Sequence, residues 1–130
     1  MVQRNTIVGK KVLDIIALAD HPLSVIQIQN ELEKKDLSPN KTTIYRVIQK
    51  LIKNQLVSEV SIRNKGSYFE LLRSHHHHFI CNHCDVVYCL QACHVEQYNI
   101  NLKELLPNKH FKIEYHDFNL YGHCDVCVSK

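Results

Sequence analysis

The sequence has no apolar stretch of the length a membrane span requires, and its opening residues, Met-Val-Gln-Arg-Asn-Thr, hold no hydrophobic segment of a secretory signal. Both absences point to a cytoplasmic protein with no membrane partner. Proline and glycine are scarce, at three each, so most of them read as punctuation. Pro22, Pro39 and Pro107 fall at helix boundaries, and Gly66 and Gly122 fall in turns. Cysteine and histidine are plentiful instead, at six and ten. In a reducing compartment such cysteines are metal ligands or reactive thiols, not a disulfide framework. A length of 130 residues allows one ordinary domain or two small ones.

Charge divides the chain. Residues 1–73 hold 12 Lys/Arg against 7 Asp/Glu, and residues 74–130 hold 4 against 6. Nine of the ten histidines lie from His75 onward. A basic half joined to a ligand-rich half implies two tasks, one of them on an acidic polymer.

In the first half, apolar residues recur at helical spacing from Val8 to Ala19, and Asp20-His21-Pro22 ends that helix. Ser24, with Gln27 three residues on, opens a second helix as a capping box. A third runs from Ser38 to Asn54, with Ser38 as N-cap and Pro39 in the first turn. Its apolar face is Ile44, Val47, Ile48, Leu51 and Ile52. Lys41, Thr42, Thr43, Tyr45 and Arg46 lie on the rest, a set suited to phosphate and base-edge contacts. Leu56–Ile62 and Ser67–Leu71 read as strands around an Arg63-Asn64-Lys65-Gly66 turn. Three helices and a basic-tipped hairpin make a winged helix-turn-helix, whose third helix enters the major groove of double-stranded DNA. The competing reading is a three-helix domain with a merely solvated third helix.

In the second half, Cys81-x-x-Cys84 and Cys124-x-x-Cys127 are two zinc-knuckle pairs, able to close one tetrahedral four-thiolate zinc site. Between them, Val86–Cys89 reads as a strand and Ala92–Leu106 as a helix stopped by Pro107. Phe111–Tyr115 and Phe118–Tyr121 read as a hairpin or one bent strand. The run His75-His76-His77-His78 leads into Phe79-Ile80 and reads as extended. Alternation then sends His75 and His77 to one face and His76 and His78 to the other, enough to feed two metal sites. Glu96 and His116 are available to one face, and Glu70, His21 or Cys89 to the other. Cys89 and Cys93 also read as small buried hydrophobes. His94-Val95-Glu96 followed by Cys124-x-x-Cys127 imitates a zinc-deaminase signature, but Gly122-His123 stands where proline should precede the cysteine. No open coordination position or other catalytic motif supports an enzyme, and a metal-storage protein would leave the basic third helix without a task.

Thr43-Ile44-Tyr45-Arg46-Val47, Phe69-Glu70-Leu71 followed by the histidine run, and Tyr121-Gly122-His123-Cys124-x-x-Cys127 together resemble the ferric uptake regulator (Fur) family of bacterial metal-responsive repressors. The likeness extends over nearly the whole chain. It implies an α+β protein with a winged-helix DNA-binding domain at 1–72 and a small metal-binding dimerisation domain at 73–130. It implies a homodimer that represses metal uptake or homeostasis genes by binding palindromic operators when metal-loaded. The structural zinc falls on Cys81, Cys84, Cys124 and Cys127. A regulatory site for Fe(II), Zn(II) or Mn(II) falls on Glu70, His76 and His78, with His21 one residue out of register and Cys89 at the place of the usual acidic ligand. A second site falls on His75, His77, Glu96 and His116. Tyr45 matches the base-contacting tyrosine and Arg46 a phosphate-contacting arginine. Gly9 stands where the family has an arginine, leaving backbone contacts there to Lys10 and Lys11. Cys89, and His77 in place of an aspartate, exchange hard donors for softer ones and favour zinc over iron or a peroxide-sensing role.

Overall fold

Val8, Val12, Ile15 and Ile16 return to one side every three or four residues, and all four are buried. The helix they anchor, α1 (Val2–Leu18), starts earlier than that periodicity predicts. A two-residue strand, β1 (Leu23–Ser24), leads directly into α2 (Val25–Glu33). Ser24 Oγ accepts from the Gln27 amide while the Gln27 side chain accepts from the Ser24 amide, so the capping box is complete. The computed structural model describes residues 2–90 and 93–129.

The third helix, α3, is Lys41–Lys53. Its N-cap is Asn40, whose Oδ1 accepts from the Thr43 amide at 2.9 Å, and not Ser38 as the sequence pattern predicts. Asn40 is as good a cap as serine, and Pro39 stands outside the helix rather than in its first turn. Ile44 and Ile48 are fully buried, with Val47, Leu51 and Ile52 packed around them. β2 (Val57–Ile62) and β3 (Gly66–Leu71) pair antiparallel from Val57 opposite Leu71 to Ile62 opposite Gly66. Asn64 and Gly66 both take positive φ in the connecting turn, a conformation Asn and Gly tolerate best. β1 adds to the other edge of β3, giving the sheet order β1-β3-β2. One hydrocarbon core, from Val8 to Phe69, joins α1, α2, α3 and this sheet into a winged helix.

The contacts divide the chain into two units, Met1–Arg73 and Ser74–Lys130. In the second, β4 (His78–Cys81) lies between β5 (Val87–Cys89), antiparallel, and β6 (Asn119–Gly122), parallel. The strand thus begins at the last histidine of the run rather than the first.

Two sequence expectations fail here. The helix expected over Ala92–Leu106 is a single turn, α4 (His94–Gln97), and a separate 3-10 turn at Leu102–Leu105; Ala92 itself lies outside the described residues. Asn99 breaks the segment with φ at +52°, and Asn101 caps the second turn through the Lys103 amide. Tyr98 and Leu105, seven apart and so on one face of such a helix, are exposed, as is Ile100. A helix of that length without a packed face is marginal. Likewise Phe111–Tyr115 forms no strand, since it has no ladder partner, and only Asn119–Gly122 joins the sheet. α5 (Asp125–Val128) closes the chain.

The corrected cap is directly testable. Asn40→Ala should lower stability by about 0.5–2 kcal/mol while Ser38→Ala stays within about 0.5 kcal/mol, read by urea unfolding of the helical circular dichroism signal.

Candidate metal centres

Cys81 ends β4, and a turn with Asp85 at φ +66° brings Cys84 back beside it. Pairing of β6 with β4 sets Gly122 opposite Cys81, which delivers Cys124 to the same point. Cys127 follows from α5. All four sulfurs lie within 4.8 Å of one another. A zinc–sulfur bond of about 2.3 Å requires tetrahedral sulfur–sulfur edges of about 3.8 Å, and Cys84 Sγ and Cys124 Sγ are 3.8 Å apart. The residues therefore fit a structural zinc ion.

The amides prepare the sulfurs. Cys84 N–H and Cys124 N–H each point to Cys81 Sγ at 3.4 Å. Burial pushes the Cys81 thiol up, but the amides of Cys124, Cys84 and His83 outweigh it and bring it down to about 5. The Cys127 amide and the Tyr88 hydroxyl hold the Cys124 thiol below its ordinary value, and the same bond raises Tyr88 to about 12. Burial and the neighbouring sulfurs push the Cys127 thiol to about 12.

A second cluster joins His75, His77, Cys93 and His116, again with every donor within 4.8 Å. His75 Nε2 is 3.1 Å from His116 Nε2, and Cys93 Sγ is 3.1 Å from His116 Nε2 and 3.3 Å from His77 Nε2. Phe118 stacks on His77 at 4.0 Å between ring centroids. Burial first, then the neighbouring His75 and His116, keep the His77 imidazole below its ordinary pKa and so favour the neutral, ligating form. Glu96, the expected fourth member, is exposed on α4 and absent from this group; Cys93, which begins the turn before it, is there instead. The one sequence signal for Cys93 is that it is a cysteine outside both CxxC pairs.

His76, His78 and Cys89 form a third group, their donors also within 4.8 Å. The His76 and His78 rings are 4.7 Å apart, and His78 faces Cys89 across β4 and β5. The odd and even histidines therefore separate, although only His78 is in the strand. Glu70 lies in the first unit, buried on β3 opposite Ser58. His21 also lies there, its Nδ1 2.7 Å from the Asp20 carboxylate. Cys124 and Cys127, which a deaminase reading would match with His94, are grouped with Cys81 and Cys84.

On α3 the residues singled out for DNA face outward. Lys41, Thr42, Tyr45 and Arg46 are exposed and Thr43 is half-buried, as Lys11 is exposed on α1. Tyr45 stands edge-on to the buried Phe69 at 6.4 Å, which braces its ring while leaving 44% of it accessible.

The sequence model of the Ferric uptake regulator family matches residues 3–121. The chain belongs to the ferric uptake regulator family. The ferric uptake regulation protein of Legionella pneumophila is 31% identical over 119 residues, which cover 90% of this chain and 85% of that protein. The fold is also that of the Helicobacter pylori ferric uptake regulator, described as having three functional metal-binding sites. That likeness has a TM-score of 0.75 at 22% identity, over 93% of this chain and 79% of the other. The Francisella tularensis regulator, solved with iron, gives a TM-score of 0.76 at 20% identity over 93% and 91%. Fur-family proteins are metal-responsive, DNA-binding, dimeric regulators, a class of transcription regulators rather than of enzymes. No helix among the described residues is long and apolar enough to cross a membrane.

Zinc binding to the four cysteines should depend on pH through Cys127, whose thiol stands at about 12 without metal and must lose its proton when ligated. That proton alone makes the affinity rise about tenfold per pH unit between pH 7 and 9. Competition with a chromophoric chelator measures the slope; a flat profile contradicts it.

Proposed function

We propose that this chain is a cytoplasmic, homodimeric repressor that binds palindromic DNA operators when a divalent metal fills its regulatory site. The observation that carries the reading is the convergence of His76, His78 and Cys89 only a few residues beyond the wing strand β3, which bears Glu70. In this reading Cys81, Cys84, Cys124 and Cys127 hold a permanent zinc that shapes the dimerisation domain, residues 73–130. Residues 1–72 are the DNA-binding domain. Glu70, His76, His78 and Cys89 hold the regulatory ion; His21, engaged with Asp20, is a further candidate. Tyr45 and Thr43 reach base edges, and Lys11, Lys41, Thr42 and Arg46 contact phosphates.

The ion supplies a charge-neutralising link among these four side chains. With Glu70 drawn to the histidines and Cys89, the end of the wing is tethered to the dimerisation domain, and the two recognition helices of a dimer hold the spacing of successive major grooves. Without that tether the competent arrangement is a fraction of the population, and the apparent affinity falls by that fraction. Two imidazoles, one thiolate and one carboxylate favour zinc over manganese or iron(II).

DNA selected from a random pool by the zinc-loaded protein provides the probe. Protein that keeps its four-cysteine zinc but is stripped of regulatory metal should bind that DNA about 5–150-fold more weakly than loaded protein. Equal affinity would sink the switch. Tyr45→Ala should cost about 1–3 kcal/mol of binding to the selected sequence and leave metal uptake unchanged in a calorimetric titration. Cys89→Ser should weaken zinc at the regulatory site and shift its preference toward manganese; unchanged metal affinities would remove the thiolate from that site.

A further inference from the structure

The cluster at His75, His77, Cys93 and His116 has a donor set that the sequence pattern does not produce. We propose that it is a closed, tetrahedral site for zinc or a similar borderline divalent ion, with three imidazoles and one thiolate, in which Cys93 and not Glu96 is the fourth ligand. This deepens the proposed function at its second site but rests on local geometry, not on DNA binding.

A tetrahedral zinc ion with bonds of about 2.0–2.1 Å to nitrogen and about 2.3 Å to sulfur needs N···N edges of about 3.3 Å and N···S edges of about 3.6 Å. The observed contacts are 3.1 Å for His75 to His116, 3.1 Å for Cys93 to His116 and 3.3 Å for Cys93 to His77. A small opening of these contacts would bring them to the edges the ion needs. Three Nε2 atoms and Sγ converge on one point, as ligands do. Cys93 is 5% exposed and His77 1%, with Phe118 stacked on His77, so these two donors are held away from water, while His75 is exposed and His116 half-buried. Glu96 is exposed on α4.

When the ion enters, Cys93 Sγ gives its proton to solvent as the sulfur–metal bond forms, and the histidines enter neutral through Nε2. Four protein ligands leave no open position, the signature of a structural rather than a catalytic site. Thiolate in place of carboxylate moves the preference from manganese and iron(II) toward zinc and cobalt(II).

The placement has a consequence for the chain between the ligands. Among the described residues no side chain from Val95 to Tyr115 is buried. Cys93 and His116 stand at the two ends of that stretch, so a shared ion would clamp both ends to the histidine run and restrict the exposed arm between them.

Cobalt(II) is the probe, added to Cys89→Ser protein that retains one zinc per chain in the four-cysteine site. Cys93 is then the one cysteine outside that site. The expected spectrum has intense tetrahedral visible bands and a near-ultraviolet sulfur-to-cobalt charge-transfer band, saturating at one equivalent. Adding Cys93→Ser should abolish the charge-transfer band, and adding Glu96→Gln should leave the spectrum intact. Weak octahedral bands without charge transfer in the Cys89→Ser protein overturn the proposal whether or not the double variant folds. So does loss of the tetrahedral bands on Glu96→Gln. An intact cobalt spectrum in the Cys89→Ser protein, with a wild-type protein whose DNA affinity ignores metal, would reject the proposed repressor switch and leave this site standing.

Discussion

Four sulfurs gathered within 4.8 Å, two of them biased toward thiolate, repel one another unless a cation sits among them. Much of the second unit depends on that gathering. Its described buried residues are His77, His78, Ile80, Cys81, Val87, Cys93 and Cys124, of which only Ile80 and Val87 are hydrocarbon side chains. Two aliphatic residues cannot offset the conformational entropy of so small a unit, and metal coordination commonly takes over in such cases. Structural zinc contributes about 10–16 kcal/mol in small zinc domains, all of it folding free energy when the unfolded chain offers no preformed site. The parallel pairing of β4 with β6 and the return of Cys124 beside Cys81 are the geometric terms of the same constraint.

The first unit is built the opposite way. Its core is continuous hydrocarbon from Val8 to Phe69, and its polar residues are left to the surface, where α3 presents Lys41, Thr42, Tyr45 and Arg46. Packing of Ile44 and Ile48 fixes the rotation of that helix, and the edge contact with Phe69 braces Tyr45. In the proposed repressor, a head packed in this way leaves the metal response to how two heads are arranged.

Between the two lies a histidine run used on both sides. The rings of His75 and His77 pack at 4.6 Å, and those of His76 and His78 at 4.7 Å. One extended segment thus serves two donor sets that differ in partners: a thiolate and histidine from later in the chain on one side, and Cys89 on the other. Because adjacent residues belong to different sets, a shift by one residue would exchange every ligand. The pairing of His78 with Cys89 and Asn119 holds that register.

What the sequence determined by itself was local. The Ser24–Gln27 capping box, the hairpin turn at Asn64 and Gly66, the amphipathic third helix and the two CxxC pairs each depend on spacing over a few residues, and each is in the structure where spacing puts it. Alternation of the histidines is equally local, since an extended backbone reverses side chains whether or not it has ladder partners. Asn40 against Ser38 was a choice between two adequate caps that sequence could not make. Only the tertiary structure decided the fate of residues 93–118. The pattern there predicts a helix and a strand, but a helix needs a surface to bury its face and a strand needs a partner, and among the described residues neither is present. It also decided Cys93 over Glu96. A ligand is selected by where its donor atom comes to rest, and that is set by the loop that carries His116 back to the histidine run, a distance no local spacing encodes.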